Sequence, residues 1–191
     1  HSDRLSDKTN ADKNLRILPF RGEYYELKKK SEHLVNNLIY PVPDPAFPFL
    51  GVHFTRMIDG GIEAGPNAVL AFKREGYKFT DFNLKDFRDI VFWPGFWKIA
   101  LKYGKTGAYE MYRSLSKKAF TRALQKLVPE IKESDLVKGG AGVRAQVCDK
   151  KGILIDDFYI KNNKNIVNVI NAPSPAATSA FSIGESIINK I

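Results

Sequence analysis

LGVHFTRMIDGGIEAGPNAVLAF, residues 50–72, carries the strongest local signal in the chain. Val52, Phe54 and Arg56 alternate with His53, Thr55 and Met57, Asp59-Gly60-Gly61 breaks the run, and residues 62–72 resume as a second extended stretch. Alternation interrupted by Asp-Gly-Gly predicts a β-hairpin. A histidine and an arginine, His53 and Arg56, fall among its apolar strand positions, and Gly65-Pro66-Asn67 interrupts the return strand. The hairpin is therefore a candidate wall of a ligand site.

Toward the N-terminus, residues 15–27 hold Ile17, Phe20, Tyr24 and Tyr25 and predict a strand, followed by a solvated basic turn at Lys28-Lys29-Lys30. Residues 34–40 predict a second strand. Pro41, Pro43, Pro45 and Pro48 then remove backbone donors at short intervals, which implies an extended loop or a sheet edge. Residues 1–14 are polar and read as a frayed helix end and a loop. On the other side of the hairpin, residues 83–91 predict a helix closed by Pro94-Gly95, and residues 96–103 a second short one. From Ala108 onward, Met111, Tyr112, Leu115, Ala119, Ala123, Leu124 and Leu127 recur at helical spacing, with a bend at 114–116 and Pro129 as a stop. Residues 139–149, 153–161 and 166–171 predict three strands, the first two joined around Lys151-Gly152. The last element is a helix with Ser174 as N-cap, Pro175 at its first position, and an apolar face of Ala177, Ala180, Phe181, Gly184, Ile187 and Ile188. Strands at both ends and helices between them predict an α+β fold, a largely antiparallel mixed sheet with a helical insert.

The chain has 191 residues, 43% of them hydrophobic, enough for one core or one core with a dependent extension. Its net charge of +9 favours an acidic partner, which the charge alone does not identify. Between Lys98 and Lys126, eight Lys and Arg face a single acid, Glu110. This run predicts a solvated helix face. One cysteine, Cys148, leaves no internal disulfide, and no stretch has the length of a membrane span. A cytoplasmic setting is the default, and any contact with an inner membrane is peripheral. Three scattered histidines predict no metal site. Gly140-Ala141-Gly142-Val143-Arg144-Ala145 matches G-x-G-x-x-A, but a dinucleotide cradle needs a helix after the turn and residues 143–147 continue as a strand.

The hairpin sequence, together with RGEYYEL (21–27), LIYPVPDP (38–45), MYRSLSKKAF (111–120) and NAPSPAATSAFSIG (171–184), resembles the L-2-hydroxyglutarate dehydrogenase/oxidase family, flavoenzymes of the D-amino-acid-oxidase type. The resemblance covers nearly the whole chain. It implies a substrate domain of such an enzyme at residues 15–138, C-terminal strands and a helix at 139–191 that return to an FAD domain, and a remnant of the FAD-domain junction at 1–14. These enzymes open with a strand, a G-x-G-x-x-G turn and a helix that hold the FAD diphosphate, and this sequence begins after that point. The full-length parent is then expected to oxidise a small dicarboxylate 2-hydroxy acid, L-2-hydroxyglutarate, to 2-oxoglutarate with FAD. The chain alone is expected to be inactive.

The resemblance also implies roles. His53 is the candidate base for the substrate hydroxyl, and an imidazole with a pKa of about 6.5 suits that task. Arg144 matches a Gly-x-Arg segment that enters the active site of this superfamily, with Ala145 where a proline usually follows. Arg56 and Tyr24 are further candidates for holding a dicarboxylate. Asn171, Pro173, Ser174, Ala176, Ala177 and Thr178 occupy the position of a loop and helix start that faces the flavin pyrimidine. Another 2-hydroxy-acid or amino-acid oxidase of the same fold is the alternative within this class. A basic nucleic-acid-binding domain is the alternative outside it, although no RRM, KH or zinc-finger signature is present and no nucleic acid is expected as a partner.

Overall fold

A computed structural model describes residues 1–9, 11–42, 51–163 and 165–189 of the chain. They form a mixed α+β structure whose named strand pairings are antiparallel. The chain divides into two compact units, neither of them contiguous: Pro19–Asn83 with Tyr103–Arg144, and His1–Leu18 with Leu84–Lys102 and Ala145–Ile191. Helix residues 84–102 thus belong with both ends of the chain rather than with the middle.

In chain order the elements are α1 (Ser2–Lys8), β1 (Leu15–Leu27), a 3₁₀ helix (Lys29–Leu34), β2 (His53–Arg56), β3 (Ile62–Gly65) and β4 (Val69–Leu70). There follow α2 (Leu84–Val91), α3 (Pro94–Leu115), α4 (Lys117–Leu124), a second 3₁₀ turn (Glu133–Asp135), β5 (Leu136–Asp149), β6 (Leu154–Ile155), β7 (Tyr159–Asn163), β8 (Ile166–Asn171) and α5 (Ala180–Ile188).

In the unit that holds the hairpin, β2 pairs β3 around Gly60 and Gly61, both with positive φ, and β3 pairs β1. Alternation then sorts the side chains by face. Phe54, Ile62, Ala64 and Leu27 go to a core completed by Val35, Phe120, Leu124, Ile131 and Leu136, all buried. Tyr25 packs its ring on Phe120 of α4 with centroids 4.8 Å apart. Ser116 starts α4 by accepting a hydrogen bond from the Ala119 N–H at 3.2 Å, which accounts for the bend expected at 114–116.

The expected strand at 34–40 is not one. Asn36-Asn37 form a bend, as turn-favouring residues do, after a 3₁₀ helix pinned by Ser31 donating to Asp135 at 2.8 Å. Only Ile39 pairs, in an isolated bridge to Phe54. Pro43, Pro45 and Pro48 lie outside the described residues.

In the other unit, Leu15, Ile17, Val147 and Ile170 form a small core. The N-terminal stretch is anchored rather than frayed: Asp3 is buried and accepts the Ile17 N–H at 3.0 Å, and Arg4 pairs Asp86 and Asp89, both at 2.6 Å. Pro94 does not close a helix but opens α3, where its missing N–H costs nothing. Its neighbour Gly95 lies so close to β5 that a Cβ would stand 1.9 Å from the Asp149 carbonyl. Helix α3 then runs unbroken through Gly104 and Gly107, because an interior glycine costs only about 1 kcal/mol and does not end a helix. Asp156-Asp157 divides the strand expected at 153–161 into β6 and β7, with Asp157 accepting the Phe158 N–H at 2.7 Å. Cys148 is buried, and burial pushes its thiol up to about 11.

The final helix begins at Ala180, with Ser179 as its N-cap, not at Ser174-Pro175. Residues preceding prolines avoid the α region, so 173–179 close as turns, with Ala176 N–H donating to the Pro173 carbonyl at 3.0 Å. No residue of α5 is buried, and Phe181 is 95% exposed. No described helix is long and apolar enough to cross a membrane.

Gly65 is the tightest requirement in the hairpin: its φ is +151°, and a Cβ there would meet the Glu23 carbonyl at 2.8 Å. Gly65→Ala is expected to destabilise the protein by at least about 2 kcal/mol, from overpacking and a disfavoured backbone region together. Gly184→Ala in α5, where a Cβ meets nothing within 4 Å, is expected to be neutral or stabilising by up to about 1 kcal/mol. Thermal melts of the two variants side by side check the contrast.

Candidate functional site

Gly65 lies between two of the candidate residues. It pairs His53 of β2 on one side and lies beside Tyr24 of β1 on the other, where a Cβ would meet the Tyr24 Cδ1 at 3.0 Å. Tyr24, Gly65 and His53 therefore form a row across three strands, on the face opposite the core. Above this row lies a cavity of about 350 Å³ within the hairpin unit, lined by Phe20, Gly22 and Tyr24 of β1, His53 of β2, Pro66, Asn67 and Ala68 of the loop, and Gly142, Val143 and Arg144 of β5. Its volume suits a small ligand, and its walls are apolar with a few polar groups.

His53 is half-buried, and its Nδ1 lies 3.2 Å from the Gly51 carbonyl. A carbonyl only accepts, so Nδ1 carries the proton and Nε2 keeps the lone pair. Burial lowers the imidazole pKa, opposed by the smaller effect of that hydrogen bond. Tyr40 stacks on the ring with centroids 4.3 Å apart and planes 20° from parallel. Burial raises the Tyr24 pKa, with the Glu63 charge and Tyr40 adding to it, so the phenol stays a hydrogen-bond donor. Arg144 lines the cavity and is itself exposed.

The loop wall is held from behind by buried charge. Asn67 accepts the Glu23 N–H at 2.7 Å and donates to the Glu23 carboxylate at 3.2 Å. That carboxylate also takes Ser114 Oγ–H and lies 3.2 Å from Arg21. The Ala68 N–H donates to Glu110 at 3.0 Å, and Glu110 pairs with buried Arg113. Gly22 lets this loop approach β1, since a Cβ there would come within 2.5 Å of the Pro66 side chain. Sequence reasoning missed Glu23, Glu110 and Tyr40. A glycine inside a strand, Gly22, was the available signal of close backbone approach.

Of the residues expected to act, the cavity gathers Tyr24, His53 and Arg144. Arg56 is not among its lining residues. It lies three positions from His53 and so on the Phe54 face of β2, where Nη1 reaches the Val35 carbonyl at 3.4 Å. Asn171, Pro173, Ser174, Ala176, Ala177 and Thr178 belong to the other unit. There Asn171 is buried and donates to the Ile155 and Asp157 carbonyls, both at 2.9 Å, and Thr178 Oγ1 donates to the Pro175 carbonyl at 3.1 Å. Lys118, Arg122 and Lys126 form an exposed basic face, whereas Lys117 donates to the Leu136 carbonyl at 2.8 Å.

Residues 140–145 lie wholly within β5, so their glycine pattern provides no helix N-terminus for a dinucleotide phosphate. The described residues at this glycine pattern do not fit an FAD diphosphate. They also contain no cluster of His, Cys, Asp and Glu able to hold a metal.

The chain is 60% identical over 188 residues to the L-2-hydroxyglutarate dehydrogenase of Indibacter alkaliphilus, covering 98% of this chain and 47% of that protein. It is 47% identical to the L-2-hydroxyglutarate dehydrogenase of Escherichia coli K12, covering 100% and 45%, and 47% identical to the mitochondrial L-2-hydroxyglutarate dehydrogenase of Homo sapiens, covering 100% and 42%. It spans less than half the length of these relatives. Residues 1–189 match the family described as FAD dependent oxidoreductase, and with that match over nearly its whole length the chain belongs to this family.

Proposed function

We propose that the full-length protein containing this chain oxidises L-2-hydroxyglutarate to 2-oxoglutarate, and that the cavity above Tyr24, Gly65 and His53 receives the substrate. The observation that carries the proposal is the convergence, in one cavity, of His53, whose Nδ1 lies at the Gly51 carbonyl, with the Tyr24 phenol and Arg144. The activity named for the relatives supplies the substrate. FAD, when bound, supplies the hydride acceptor, and its diphosphate is held by parts of the protein beyond these residues.

Oxidation of a secondary alcohol removes the hydroxyl proton and the C2 hydrogen with its electron pair. His53 Nε2 takes the proton, Arg144 binds a carboxylate in bidentate fashion, and Tyr24 donates to substrate oxygen. Arg56, engaged with Val35, stays outside this assignment. The hairpin unit is then the substrate-binding body of the protein. Asn171, Pro173, Ser174, Ala176, Ala177 and Thr178 border the flavin ring in this proposal, with Asn171 fixing the start of the turn through its two carbonyl contacts. A cytoplasmic setting, with peripheral membrane contact for electron transfer, belongs to the same proposal.

Dye reduction by the purified full-length enzyme tests it: L-2-hydroxyglutarate should be the preferred reductant, and preference for an amino acid would contradict it. His53→Gln should lower kcat by about 10²–10⁴ with little change in KM. Because the neutral imidazole is the active form and burial lowers its pKa, wild-type kcat/KM should rise with pH through a midpoint below about 6.5. A pH profile of the two enzymes checks both points. Arg144→Lys keeps the charge but loses the bidentate fork, and steady-state kinetics should show KM raised about tenfold or more.

A further inference from the structure

The backbone brings Tyr40 to His53 by a route that the sequence does not advertise. Ile39 exchanges two hydrogen bonds with Phe54, Ile39 N–H to the Phe54 carbonyl at 3.0 Å and Phe54 N–H to the Ile39 carbonyl at 2.9 Å. In an antiparallel bridge of this kind the residue after Ile39 lies beside the residue before Phe54. Tyr40 is thereby set against His53, and the two rings stack at 4.3 Å. Tyr40 is 47% exposed, so the core is not what holds it there. On the edge of the imidazole, the Gly51 carbonyl accepts a hydrogen bond from Nδ1–H. One contact restrains the plane of the ring and the other its rotation about the side-chain axis.

We propose that Tyr40 is a positioning residue for His53: stacked on the imidazole, it keeps the ring in the orientation in which Nδ1–H meets the Gly51 carbonyl and Nε2 is left as the acceptor. Its role in turnover rests on His53 being the base of the proposed reaction. A ring free to turn loses the Gly51 hydrogen bond, and the proton then distributes between the two nitrogens. Every molecule with Nε2 protonated lacks an acceptor for the substrate hydroxyl. Loss of orientation lowers kcat rather than substrate binding, because His53 is not the residue assigned to hold a carboxylate.

The test uses the full-length FAD-loaded enzyme with ¹⁵N-labelled histidine, in wild type, Tyr40→Ala, Tyr40→Phe and Tyr40→Leu. In wild type the His53 nitrogens should report a single tautomer protonated at Nδ1. Tyr40→Ala should move both shifts toward the values of a mixture and lower kcat by roughly ten- to a hundredfold with KM nearly unchanged. Tyr40→Phe, which keeps the aromatic face, should restore both readouts. If the alanine variant does not fold, Tyr40→Leu keeps apolar bulk without an aromatic face and should give the same shift and loss. Wild-type shifts and kcat in the alanine or leucine variant, or a phenylalanine variant as impaired as these, would overturn the proposal. Full activity in His53→Gln would instead remove the assigned base, while the nitrogen shifts would still decide whether Tyr40 controls the ring.

Discussion

Close backbone approach at Gly65, where no side chain fits, is the constraint around which the proposed site is arranged. Its neighbours across the sheet are His53 on one strand and Tyr24 on the other. A methyl group there would press on the Glu23 carbonyl and on Tyr24 and demand a backbone conformation that residues with a Cβ avoid. Gly22 meets the same need one strand over, by letting residues 66–68 fold down onto β1. Two glycines thus mark the closest backbone approaches beside the phenol, imidazole and amide that line one cavity.

Such close approach must be held in place, and buried charge does this. Glu23 and Glu110, supported by Arg21, Ser114 and Arg113, hold Asn67 and the Ala68 N–H. Removing one member of such a network leaves largely buried polar partners such as Arg21, Asn67 and Arg113 short of hydrogen bonds. The charge pattern of α3 and α4 takes on meaning here. Among eight Lys and Arg between Lys98 and Lys126 the single acid, Glu110, is the residue that reaches the cavity wall.

Local pattern made the hairpin, β1, β5 and α2 legible, because alternation and Asp-Gly-Gly act over a few residues. His53, Arg144 and Tyr24 are singled out through the family resemblance, and the three line one cavity. Arg56 could have been set aside from the sequence, since an odd spacing from His53 puts the two on opposite faces. Elements fixed by distant partners were not legible. The 3₁₀ helix at Lys29–Leu34 is pinned by Asp135, the start of α3 rests on β5, and Tyr40 reaches His53 through the bridge between Ile39 and Phe54. The division into units was hidden for the same reason: residues 84–102 pack with segments far from them in sequence. At the C-terminus, Ser-Pro matched a helix start by composition, yet the turns at 173–179 delay the helix to Ala180.

The central claim is that the cavity above Gly65 is where the 2-hydroxy acid reacts. The most direct measurement is a crystal structure of the FAD-loaded full-length enzyme with 2-oxoglutarate bound. The account predicts the keto acid in this cavity, its 2-oxo oxygen about 3 Å from His53 Nε2 and one carboxylate paired with Arg144. A well-ordered 2-oxoglutarate bound elsewhere, with neither His53 nor Arg144 in contact with it, would contradict the account.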